Sequence, residues 1–231
     1  MIEIYIGPRT ENNPPLFVQK DVLCDRSRYF RQALNGPFRE GEEGILNFPE
    51  DSEEPWGVLL YYLHYEQLPG RDDDQSHDSY LLSLANAYLL GDKYGLAGFQ
   101  NRIIHEYLEC AGNETIGEEI SIECILEVMQ LVPSDCHLRT LILQQIVCDV
   151  VQASRIEWIE FAGLVTCPRT FQVLMDALEK WARAADDTEG DSGRLFPLHR
   201  YGENKEETAK YLLEEEEEAG KSDLGRVHAD G

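Results

Sequence analysis

The sequence predicts an α+β protein, and three observations carry that prediction. Residues 1 to about 48 hold short runs of alternating apolar and polar side chains, the period of half-buried strands. From Ser52 onward, apolar residues recur at i, i+3, i+4 and i+7, the spacing of helices with one buried face. The strands come early and close together, which leaves little room for βαβ crossovers. A chain of 231 residues with 42% hydrophobic content can bury a sizeable core.

Each element follows from its residues. Ile2, Ile4 and Ile6 alternate with Glu3 and Tyr5 as a first strand, closed by Gly7-Pro8. Asn12-Asn13-Pro14-Pro15 signals a turn, and Leu16-Phe17-Val18 gives a second short strand. Ile45 to Phe48 gives a third, ended by Pro49. One helix is expected between the second and third strands. Asp25 or Ser27 can cap it, Tyr29, Phe30, Ala33 and Leu34 line its covered side, and Asn35-Gly36 stops it.

Trp56, Leu59, Leu60 and Leu63 then mark a helix whose acidic first turn suits the helix dipole. Residues Leu68 to His77, with Pro69-Gly70 and three consecutive aspartates, form a loop. Leu81, Leu84, Ala85 and Tyr88 mark the next helix, which stops between Gly91 and Gly95; Leu96, Phe99, Ile103 and Tyr107 mark another. After a break at Gly112 to Gly117 the chain reads as purely helical. Its stripes are Ile122, Ile125, Leu126 and Met129; then Leu138, Leu141, Ile142 and Ile146, running on to Val151; then Phe171 to Trp181. Pro133 and Pro168 lie near the joints, where a missing N–H does least harm. Helices of this length are marginal alone and should pack on one another or on the first unit. The expected division is an α+β unit over 1–110, a helical extension over 111–185 and a disordered acidic tail over 186–231.

The tail follows from charge. Its last 46 residues hold fourteen acids against six bases, a balance of −8, with few large apolar side chains. Like charges at that density cannot recover the entropy of ordering. The whole chain carries 44 Asp+Glu against 20 Lys+Arg, a formal −24, with an isoelectric point near 4.5. Such a surface repels phosphate backbones and anionic lipid, so neither nucleic acid nor membrane is an expected partner. No apolar run approaches a membrane span, and the N-terminus lacks the basic flank and long apolar stretch of a signal peptide. A cytoplasmic or nuclear location is expected.

Catalytic chemistry finds no constellation to carry it. The histidines at 64, 77, 105, 137, 199 and 228 are scattered, and no nucleophile-elbow, phosphate-loop or dinucleotide pattern occurs. The six cysteines lie at least ten residues apart, without the close pairs of zinc modules, and read as buried thiols. Asp72-Asp73-Asp74 lacks the spaced ligands of a calcium loop. No catalytic residue, metal or cofactor is assigned, and the protein is not expected to be an enzyme.

Four blocks resemble the BTB/POZ family. The stretch Val18-Gln19-Lys20 through Ser27-Arg28-Tyr29-Phe30 to Gly36 is similar to the family's early segment, where a strand ending in Val-His-Lys leads through a short helix into a Ser-x-Tyr-Phe helix. Phe38-Arg39-Glu40-Gly41 follows, then the Ile45-to-Pro49 strand with Glu50-Asp51, then Leu89 to Leu96 containing Asp92-Lys93-Tyr94. The resemblance spans roughly residues 1 to 110 and is closest to BTB proteins of filamentous fungi, whose helical extension carries a stretch similar to Pro133 to Leu141. Gln19 departs from the family's histidine. The chain opens inside the first strand, so the additional strand that some BTB dimers exchange is not expected here.

The resemblance implies a protein-interaction module of α+β fold: a small BTB/POZ sheet covered by helices. In BTB adaptors of cullin ubiquitin ligases, an apolar residue, any residue and a glutamate at this location contact the cullin. Phe38, Arg39 and Glu40 are therefore the candidate partner-binding residues. Packing of Phe38 onto the core after the Gly36-Pro37 turn is the competing expectation. The implied function is a substrate adaptor for a cullin-based ligase, aided by the helices from Ile122 to Val151. A homodimerising or transcription-associated scaffold is the alternative.

Overall fold

A computed structural model describes residues 1–8, 14–113 and 120–151, together with 175, 176 and 179. Three short strands, β1 (Ile2–Ile6), β2 (Leu16–Val18) and β3 (Ile45–Phe48), form one sheet in the order β2-β1-β3. β1 lies at its centre, antiparallel to β2 (Ile2 opposite Val18) and parallel to β3 (Ile4 opposite Leu46). The period-2 pattern is realised: Ile2, Ile4 and Ile6 are buried while Glu3 and Tyr5 are half-buried on the other face. The α+β class is as expected.

The segment between β2 and β3 corrects the expectation of a single helix. It holds three: α1 (Lys20–Arg26), α2 (Arg28–Asn35) and α3 (Arg39–Glu43). Ser27 is the joint between the first two. Its backbone N–H closes α1 on the Leu23 carbonyl, and its Oγ accepts the Phe30 N–H at 3.3 Å to cap α2. Of the two candidate caps, Asp25 and Ser27, it is Ser27 that serves. The same hydroxyl donates to the Tyr94 carbonyl at 2.6 Å, which ties this joint to the C-terminal end of the helix that spans His77–Lys93. A seven-residue helix such as α1 is too short to announce itself by periodicity, although it buries Leu23 and Cys24.

Helices α4 (Glu53–Tyr65), α5 (His77–Lys93) and α6 (Ala97–Asn113) build the main layer over the sheet. Trp56 and Leu59 of α4 are fully buried, with Val58, Tyr62 and Leu63 beside them, whereas Leu60 is only partly covered. Helix α5 is apolar on most sides because it packs between α4, α6 and α7, and it buries Leu81, Leu84, Ala85 and Tyr88. Phe30, Phe48, Trp56 and Tyr94 form an aromatic cluster where α2, β3, α4 and the end of α5 meet. Tyr29 departs from expectation: it touches Phe30 and Tyr94 but leaves 45% of its surface in solvent.

Helices α7 (Ile122–Leu131) and α8 (His137–Val151) continue the chain, and α7 packs on α5. Asp78, in the first turn of α5, accepts both the backbone N–H and the hydroxyl of Ser121, at 2.9 and 2.6 Å. Ser121 in turn caps α7 through the Cys124 N–H. Arg139 of α8 donates to the carbonyls of Met129 and Val132 at the open end of α7. One core cluster runs without interruption from Ile2 to Ile146, so α7 and α8 share the hydrophobic interior of the first unit. Of the expected stripe from Phe171 to Trp181, Met175 is helical and exposed, and most of the rest lies outside the described residues, as does the acidic tail. Among the described residues, no helix is long and apolar enough to cross a membrane.

Gly57 sits on the exposed side of α4 with nothing within 4 Å of where a side chain would begin. Replacing it by alanine should add about 0.5–1 kcal/mol of stability, since glycine inside a helix loses more backbone entropy on folding. A rise in the urea midpoint at unchanged slope checks this.

Candidate interaction site

The three residues singled out from the sequence lie where α2 hands over to α3. Helix α2 is held by its buried side, Phe30 at 0% and Leu34 at 2% exposure, and ends with the Gly36 N–H on the Gln32 carbonyl. Lys20 Nζ reaches from α1 to the Leu34 carbonyl at 2.7 Å and so supplies a donor to an open helix end. After Pro37, Phe38 takes an extended conformation and stands as the N-cap of α3. Its carbonyl accepts the N–H groups of Gly41 and Glu42 at 3.0 and 3.3 Å. Gly44 closes the helix with φ of +68°, a left-handed conformation that suits glycine, and its N–H bonds the Glu40 carbonyl.

Phe38 leaves 52% of its surface open, so it is not a core residue. Arg39 and Glu40 are exposed as well. Arg39 Nε pairs with Glu43 Oε1 at 2.6 Å along α3, and among the described residues neither Glu40 nor Glu42 forms a salt bridge. The structure therefore brings together an exposed aromatic ring and two exposed carboxylates on one short element. An element of this kind can dock: the ring offers apolar area and the carboxylates offer charge.

The other titratable groups are arranged differently. Among the described residues, no group of three or more His, Cys, Asp or Glu side chains could hold a metal ion. His64 is exposed, with Nδ1 2.7 Å from the Leu60 carbonyl, and His105 is half-buried, its pKa lowered by burial and by Arg102. Cys24 and Cys124 are buried, and Cys110 and Cys136 are half-buried. Burial raises the pKa of Cys24 and Cys136, and burial together with Asp78 pushes Cys124 up to about 12. These three thiols stay protonated at neutral pH and are poor nucleophiles. Cys167, His199 and His228 lie outside the described residues.

A further polar centre joins two of the blocks quoted for the resemblance, Glu50-Asp51 and Asp92-Lys93-Tyr94, which sequence reasoning does not single out as a site. Asp51, whose side chain is 5% exposed, accepts from Lys93 Nζ at 2.5 Å, Tyr94 Oη at 2.5 Å and Trp56 Nε1 at 2.9 Å. Burial alone would raise its pKa, but the hydrogen bonds from Lys93, Tyr94 and Trp56 prevail and hold it below the ordinary value. Tyr94 moves the other way, raised by burial and by its bond to Asp51. This network joins the start of α4 to the end of α5 and works on the fold.

No protein-family model matches this chain, and no curated protein matches it significantly.

Proposed function

We propose that the chain is a BTB/POZ-type protein-interaction module without catalytic activity, and that it acts as a substrate adaptor for a cullin-based ubiquitin ligase. The observation that carries this reading is the exposed ring of Phe38 beside the exposed Glu40. A protein that kept Phe38 for its own core would bury it. The local order of elements also supports the resemblance. A strand ending at Val18 leads into a short helix, and Ser27 then caps the helix that carries Tyr29-Phe30. The scattered histidines and protonated thiols give an enzyme reading nothing to build on.

Calorimetry against a cullin N-terminal region tests the proposal. Glu40→Ala should leave folding stability nearly unchanged and weaken the complex by about 1–3 kcal/mol. Phe38→Ala should weaken it further, because a central aromatic contributes the most desolvated area. An unmodified chain that does not bind removes the ligase reading. Binding indifferent to both changes keeps the partner but moves the contact elsewhere.

The alternative, a self-associating scaffold, draws on a different surface. Leu16 and Phe17 of the edge strand β2 are 39% and 57% exposed, an apolar pair at an open sheet edge. A dimer mass in solution that reverts to monomer in Phe17→Lys would favour it.

A further inference from the structure

Building on the docking reading above, we infer that Gly36 and Gly41 are positioning residues that fix the pose in which Phe38 and Glu40 meet a partner, and that the partner surface is an apolar pocket bordered by cationic side chains. At Gly36 the backbone angles, φ −77° and ψ 175°, are open to any residue, so space and not conformation calls for glycine. A Cβ there would lie 2.5 Å from the Gln32 carbonyl oxygen and 2.8 Å from Cδ2 and Cε2 of Phe38. The ring thus lies against the side chain that residue 36 lacks. At Gly41 a Cβ would lie 2.8 Å from the Leu34 carbonyl oxygen and 3.2 Å from that of Gly36. Helix α3 rests directly on the last turn of α2 at that point, against the same Leu34 carbonyl that Lys20 holds. An exposed aromatic side chain would ordinarily sample several rotamers; this one has a seat.

Pre-organisation of that kind favours binding, because little side-chain freedom is left to lose when the partner arrives. The charge on α3 indicates what the partner offers. Arg39 answers Glu43, and the remaining Glu40 and Glu42 point to a surface that returns positive charge around an apolar hollow.

The experiment uses the full chain with Gly36→Ala, Gly41→Ala and, as a control, Gly57→Ala, where a Cβ meets nothing within 4 Å. Affinity for a cullin N-terminal region is read by calorimetry, and local order by the rate of tryptic cleavage after Arg39, with melting temperature recorded for each. Gly36→Ala and Gly41→Ala should each weaken binding about tenfold and speed that cleavage, while Gly57→Ala changes neither. Gly36→Ala should have a smaller effect on binding in a Phe38→Ala background, because the contact with the ring is gone while that with the Gln32 carbonyl remains; equal effects in both backgrounds would make the role of Gly36 purely structural. The affinity of the unmodified chain should fall as salt rises, and a salt-independent affinity would overturn the cationic border. If the unmodified chain binds and both glycine variants bind equally well, the positioning role is overturned while the docking reading stands. If the unmodified chain does not bind, the docking reading falls. The positioning role then falls with it, since there is no partner for the pose to serve.

Discussion

Phe30→Ala is expected to lower folding stability by about 3–5 kcal/mol, the range for a buried aromatic truncated to a cavity. The ring is fully buried and lies at the centre of the aromatic cluster. It stacks on Tyr94 with centroids 5.4 Å apart, and meets Phe48 and Trp56 at 6.3 and 6.2 Å. Four elements converge there, so no single neighbour can relax into the space without disturbing another. Urea unfolding reads the effect as a lower midpoint at a similar slope. A midpoint equal to that of the unmodified protein would contradict the burial of Phe30.

Asp51→Ala is expected to cost about 2–4 kcal/mol. The loss comes less from Lys93, half of which is in solvent and can recover its hydration, than from Trp56 Nε1 and Tyr94 Oη. Those donors would be left in the interior without an acceptor, at about 1–3 kcal/mol each. The pH dependence follows from the direction of the shift. The folded pKa of Asp51 lies below the unfolded value of 3.8, so the stabilisation is fully present above that pH. It is lost as pH falls through the folded value. The gap in stability between the unmodified protein and Asp51→Ala should therefore be constant near neutrality and narrow below about pH 4, by the part that depends on ionisation. A gap that persisted undiminished in acid would assign the effect to packing alone.

How much of this was legible in the sequence depends on the distance over which each feature is specified. The alternation Ile2, Ile4, Ile6 and the stripe Trp56, Leu59, Leu63 encode strand and helix within a few residues, and both elements stand where the pattern puts them. Helix α3, over Arg39 to Glu43, carries no large apolar residue and has no stripe to read; it rests on the end of α2 and closes at Gly44 in the left-handed conformation. Tyr29, expected on the covered side with Phe30, Ala33 and Leu34, touches Phe30 and Tyr94 but leaves 45% of its surface in solvent, a difference that spacing along one short helix does not encode. Of the candidate site, the location and the residue types were readable. The exposure of Phe38 was not, since a Gly-Pro turn followed by an aromatic fits either a buried or an open ring. Asp51 was less readable still, because two of its three partners lie over forty positions further along the chain.

The parallel pairing of β3 with β1 has a thermodynamic consequence for any partner of Phe38. Two parallel neighbours cannot be joined by a hairpin, so residues 19–44 must cross from one side of β1 to the other. The crossover, for which the closely spaced strands predict little room, is α1, α2 and α3, and Phe38 lies within it. The buried residues of α2 before Phe38 and of β3 after it belong to one core. Mass action then couples the surface to the interior. A ligand that binds only the folded crossover stabilises the entire sheet and core, by about 2.7 kcal/mol when its free concentration is a hundred times its dissociation constant. The same linkage lets a destabilised core weaken a complex whose contacts are all intact.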